Sequence, residues 1–143
     1  MSDLYEADIV QWSERQADLL RRHAANERAN DVAPDWPNII EEIESVGREQ
    51  IHAVEYLLLL ALIHRLKAEA WPESRDVPHW RAEERTFRDQ ARRRFVPSMR
   101  QRLDLADIYA GALRGLPETS DGVPPRTVPE TCPVTLDELL APD

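Results

Sequence analysis

An all-α fold, one compact bundle of about four main helices, follows from three features of the sequence. Ala, Leu, Glu and Arg dominate it, glycine occurs only four times and β-branched residues are sparse, a composition that favours helix. Apolar residues recur at three- and four-residue spacings over long stretches, the mark of one buried helical face. No strand pairing, internal repeat or low-complexity tract is visible.

A first helix is expected from an Asp3 cap to about Ala24, with Ile9, Trp12, Gln16, Leu19 and Leu20 on one face. The polar "ANERANDVAP", Ala25 to Pro34, breaks that pattern and reads as a connection. Asp35 is placed to cap a second helix from Trp36 to about Ala70, with Pro37 in the first turn, where a missing N–H costs nothing. Helical spacing puts Ile39, Ile43, Val46, Val54, Leu57, Ala61 and His64 on its inner side. Glu41, Glu44, Arg48, His52 and Glu55 fall opposite. After Tyr56 leucines surround the axis, so this helix is expected to start on the surface and end buried on all sides. Gly47, in its middle, costs about 1 kcal/mol relative to Ala and marks either close packing or a kink.

"WPESRDVPHW" reads as a turn-rich link, with Asp76-Val77-Pro78-His79 outside any helix. A third helix, about Trp80 to Phe95, turns Trp80, Phe87 and Ala91 inward and stops near Pro97. Ser98 and Gln101 form a capping-box pattern for a fourth helix to about Leu113. Residues 114–134, rich in proline, read as an extended strap, and Thr135 with Glu138 is a second capping-box pattern opening a short terminal helix through Leu140. Residues 1–143 are expected to form a single domain.

Composition bounds the function. The net charge of −9 opposes general affinity for nucleic acid or anionic membranes. The longest apolar run, Tyr56 to Ile63, is far below the roughly 20 residues of a membrane span. The acidic start lacks the pattern of a cleavable signal, and Cys132 stands alone, so a cytoplasmic protein without disulfides is expected. Cys132 has no histidine at a catalytic spacing and reads as an inert, semi-buried thiol.

The candidate site residues lie mainly on the second helix. Glu49 and His52 spell E-x-x-H, a spacing used by metal-binding bundles, but such bundles need two copies, and His52 points to the wet side. Glu42 and Glu49, seven residues apart, share an azimuth at the border of the predicted apolar stripe, where a carboxylate seeks an Arg, a His or a metal. His64 sits in the leucine-rich half and reads first as a neutral core histidine bonded to a carbonyl or carboxylate. Arg81, Arg85, Arg88 and Arg92 form a stripe on the third helix, expected to be solvated or to pair with the acidic start of the second; phosphates are the alternative. The resulting expectation is a binding module without catalytic residues and with no cofactor required by the sequence. It would meet a protein partner or a second copy of itself through Glu41, Glu42 and Glu44 or through the arginine stripe. A metal- or small-ligand bundle using Glu42, Glu49 and His64, its metal unspecified, is the second reading. Nucleic acid on the arginine stripe is the third.

"LYEADIVQWSERQADLLR", "DWPNIIEEIESVGR" and "VPETCPVTLDELLAPD" resemble, in this order, the bacterial family catalogued as domain of unknown function 29, with "IEEIESVGR" and "CPVTLDELL" the most specific pieces. The resemblance covers nearly the whole chain and implies a compact, stand-alone helical protein. It implies no activity, cofactor or substrate, so no site residue is carried over. The chain departs from the family in "ANERANDVAP" and "SDGVPPRT".

Overall fold

A computed structural model describes residues 3–26 and 34–143. Its elements are α1 (Leu4–Ala7), α2 (Ile9–Asn26), α3 (Trp36–Ala70), α4 (Val77–Arg94), a 3₁₀ turn (Pro97–Gln101), α5 (Leu105–Arg114) and α6 (Leu136–Leu140). Among the described residues the fold is all-α with four main helices, α2 to α5, and its one strand-like feature is an isolated bridge between Ser120 and Val123. Most of the expected first connection falls on residues 27–33, outside the described residues. No helix among the described residues is long and apolar enough to cross a membrane. The chain packs as two compact units, Met1–His52 with Val96–Arg102, and Ala53–Phe95 with Leu103–Asp143.

In the first unit the expected single N-terminal helix is split at Asp8, whose extended backbone ends α1 and opens α2. Its carboxylate accepts the Gln11 N–H at 2.9 Å, which makes Asp8 the N-cap of α2. The same carboxylate accepts the Ser98 N–H at 2.8 Å and the Ser98 hydroxyl at 2.7 Å. This corrects the expected fourth helix. With its donors engaged by Asp8, Ser98 caps nothing, Pro97–Gln101 is only a 3₁₀ turn, and α5 begins later behind Asp104, which accepts the Asp107 N–H. Burial pushes the Asp8 carboxyl up, but bonds from Gln11, Ser98 and Val10 outweigh it and hold it below the ordinary aspartate value. A depressed carboxylate contributes stability above its unfolded pKa, about 3.9, and that contribution is lost as pH falls through the folded value. The stability gap between wild type and Asp8→Asn should therefore narrow in acid denaturation as pH drops below about 4. A gap constant from pH 7 to pH 3 would contradict this role.

The α2–α3 contact centres on Gly47. A Cβ there would lie 2.5 Å from the Ser13 hydroxyl, and Ser13, fully buried, donates to the Val10 carbonyl at 2.9 Å. Of the two expectations for Gly47, close packing is therefore realised. The buried side of α3 in this unit is Ile40, Gly47 and Ile51, not Ile39, Ile43 and Val46. Ile39 is 38% exposed, and Ile43 and Val46 are half-buried. The inner face is thus rotated roughly a quarter turn from the one expected. A count of apolar side chains passes over glycine, yet here glycine marks where two backbones meet.

In the second unit, Val54, Leu58, Ala61, Leu62 and Leu66 of α3 form the core together with Trp80 and Ala91 of α4 and Ile108, Tyr109 and Ala112 of α5. Gly111 of α5 and Gly115, which caps its end, approach Leu59 and Ile63, while Phe87 of α4 lies against His64. These neighbours cover only part of the circumference. Leu57, Leu59, Leu60 and Ile63 stay half-buried and Tyr56 is 60% exposed, so the helix is not enclosed on all sides as its leucine run suggested. The α4 helix also starts earlier than expected, at Val77. Pro78 stands in the first turn, where its missing N–H breaks no intrahelical bond.

Beyond α5 no helix forms until Leu136, as expected of the strap. It is tied down at three places. The Arg126 N–H donates to the Ala70 carbonyl at 2.8 Å, the Trp71 indole N–H to the Val123 carbonyl at 2.8 Å, and the Tyr109 hydroxyl to the Pro129 carbonyl at 2.5 Å. Burial, together with the neighbouring Cys132, raises the Tyr109 phenol above its ordinary value, which keeps it a donor. The α6 helix opens with the expected reciprocal capping box of Thr135 and Glu138.

Candidate functional site

The acidic residues of α3 are separated by the fold. Glu42 and Glu49 are exposed on the side away from Ile40, Gly47 and Ile51, and their side chains pair with no other described residue. The border position expected for them depended on the unrotated stripe. Glu41 is ion-paired with Arg48, and Glu44 with Arg21. His52 is exposed. His64 is half-buried, its Nδ1 lies 2.8 Å from the Leu60 carbonyl, and its ring centroid is 5.4 Å from that of Phe87. A carbonyl only accepts, so Nδ1 carries a proton and donates it there. Among the described residues no three His, Cys, Asp or Glu side chains converge into a group that could hold a metal. Cys132 is half-buried, with its thiol 3.3 Å from the Val134 carbonyl.

The arginine stripe of α4 does not act as one surface, nor does it pair with the acidic start of α3. Arg81 reaches Glu84 at 3.5 Å, Arg92 pairs with Asp89, and Arg85 is exposed. Arg88 turns to the C-terminal segment, donating to the carbonyls of Glu138, Leu139 and Ala141 and meeting Asp143 at 3.0 Å. At the centre stands Glu84, its side chain only 7% exposed, within 3.9 Å of Arg65 and of Arg88. Sequence reasoning passed over this residue as one acid among arginines. The usable signal was its azimuth, close to those of Trp80 and Ala91, on the inward face of α4.

A well-formed concavity lies elsewhere in the second unit, where the end of α3 meets the strap. Its volume is about 420 Å³. One wall is the turn after α3, Trp71 to Arg75, and the other is the segment Ser120 to Arg126. Asp121 and Gly122 both have positive φ, 51° and 76°, and Ser120 and Val123 exchange backbone hydrogen bonds of 3.0 and 2.9 Å across them. That is the geometry of a two-residue mirror-image turn, which Asp-Gly favours. The Trp71 indole bond to Val123 and the Arg126 bond to Ala70 lock the two walls together, so the cleft is pre-formed. Trp71, Pro72, Val123 and Pro124 make its apolar surface, and Val123 is 54% exposed at the lip. Glu73, Arg75, Asp121 and Arg126 stand around it, with Glu73 and Arg126 3.4 Å apart. Neither wall was singled out from the sequence, because both consist of turn residues. The Asp-Gly pair and a Trp-Pro step directly after a long helix were the signals present.

A protein-family model described as "Domain of unknown function DUF29" matches residues 4–143. No curated protein matches the chain. Among solved structures, the chain is similar to an α-helical protein of unknown function from Rhodospirillum rubrum, with a TM-score of 0.80 and 24% identity, over 98% of this chain and 90% of that one. At that identity the likeness concerns the fold.

Proposed function

The chain belongs to the DUF29 family, whose description assigns no activity, and we propose from its geometry that it is a binding module rather than an enzyme, with the Trp71 cleft as its contact site. The observation that carries this reading is the cleft itself. It is concave, apolar at its base, charged at its rim, and within the size of small-ligand sites, about 300–1,000 Å³. Such a site buries an apolar group and orients it by charge.

The charges first considered as contact groups support the cleft as the better surface, because most already have partners within the chain. Glu41, Glu44, Arg81 and Arg92 are ion-paired, and Arg88 holds the C-terminal segment. The Trp71 indole N–H, bonded to the Val123 carbonyl, is a built-in reporter. In proton–nitrogen NMR spectra, titration with small indole- or phenyl-bearing compounds should shift this resonance. Val123→Glu, a change at an exposed lip, should leave the fold intact and weaken binding at least about tenfold by charging the apolar mouth. An unmoved indole resonance across such a set would refute the cleft as a binding site.

A further inference from the structure

Resting on the cleft as the binding site, we infer that its ligand is a small zwitterion with an apolar side chain, an apolar α-amino acid in chemical class. The inference comes from how charge is distributed around the apolar base. The wall after α3 carries Glu73 and Arg75, and the strap wall carries Asp121 and Arg126, so each wall presents one carboxylate and one guanidinium. The rim is charge-balanced. A purely anionic ligand entering between these walls meets Glu73 and Asp121, and a purely cationic one meets Arg75 and Arg126; each gains one attraction and one repulsion on either side.

A ligand bearing an ammonium and a carboxylate a few bonds apart satisfies both signs at once. The rim has the capacity to receive it. Arg75 and Asp121 make no ion pair with another described residue, and Glu73 and Arg126 are held to each other only at 3.4 Å, with both side chains mostly exposed. An exposed pair of that kind is worth little and exchanges readily for a ligand. Arg75 offers the planar fork that binds carboxylate through two hydrogen bonds, and Asp121 accepts from an ammonium. The apolar side chain is received by Trp71, Pro72, Val123 and Pro124. Asp121 stands at positive φ on the mirror-image turn, which fixes its place on the strap wall before any ligand arrives.

The test compares L-phenylalanine with three analogues in the intact protein, read by the Trp71 indole resonance and by calorimetry. The analogues are N-acetyl-L-phenylalanine, L-phenylalaninamide and N-acetyl-L-phenylalaninamide, which remove the ammonium, the carboxylate and both charges. L-Phenylalanine should bind at least fivefold more tightly than every analogue. Arg75→Gln should erase the advantage over the amide, and Asp121→Asn, which suits the same turn, the advantage over the N-acetyl compound. If the doubly blocked compound binds as well as phenylalanine, the zwitterion inference is overturned while the cleft remains a binding site. If one singly blocked compound binds best, the ligand carries that single charge and the inference is likewise overturned. If none of the four moves the indole resonance, the inference fails, and the broader indole and phenyl set decides separately whether the cleft binds anything.

Discussion

Replacing Gly47 by alanine is expected to destabilise the protein by about 1–3 kcal/mol, the usual cost of overpacking a tight contact. Helix propensity alone predicts the opposite sign, a gain of about 1 kcal/mol. The contact decides because the new Cβ would stand 2.5 Å from the Ser13 hydroxyl, and that hydroxyl is buried and bonded to the Val10 carbonyl. The next atoms are farther, the Val10 Cα at 3.6 Å and the Ser13 Cβ at 3.7 Å. Removing the hydroxyl should therefore reverse the result. In a Ser13→Ala background, Gly47→Ala should be neutral or stabilising, and a double-mutant cycle by urea unfolding should show the coupling. A stabilising Gly47→Ala in the wild-type background would mean that α2 and α3 do not meet at this point.

The second large effect is expected at Arg88. This side chain, 14% exposed, donates to the Leu139 carbonyl at 2.9 Å, to Glu138 at 3.2 Å and to Ala141 at 3.1 Å, and it meets Asp143 at 3.0 Å. It also faces the buried Glu84 at 3.9 Å. Arg88→Met keeps the stem but leaves the end of α6 and part of the Glu84 charge without a partner. Breaking a buried charge network of this kind costs about 3–5 kcal/mol. Hydrogen exchange should accelerate selectively at Leu139 and Leu140, whose helix the guanidinium closes. Arg88→Lys should recover less than half of the loss, since a point charge cannot serve several carbonyls from one planar fork. Full rescue by lysine would show that charge alone, not the fork, holds the C-terminal segment.

The bounds of α3 agree with the sequence because strong local signals mark both ends, Asp35 with Pro37 at one and Trp71-Pro72 at the other. The α6 capping box was equally legible, since both partners lie within one turn. The errors share a different origin. Ser98 carries a good local capping pattern, but a carboxylate ninety positions away in the chain takes both its donors. Asp8 looks like an ordinary polar residue inside a helix until Ser98 is in place. Glu42 and Glu49 were assigned to the stripe border from an apolar count in which Gly47 has no weight. The cleft around Trp71 is built by two segments about fifty residues apart, neither periodic, so no pattern along the chain pointed to it.

The order of residues alone makes legible an all-α fold, the four main helices among the described residues, a proline-rich strap and a capped terminal helix. Those properties follow from propensity, period and short-range capping, which act within a few residues. Tertiary structure alone decided which face of α3 is buried, where the first helix breaks, what Arg88 and Glu84 hold, and where a concave apolar surface forms. Each of these depends on a hydroxyl, a carbonyl or a missing Cβ supplied by a distant segment. Such partners are set by packing, and packing has no signature in the local order of residues.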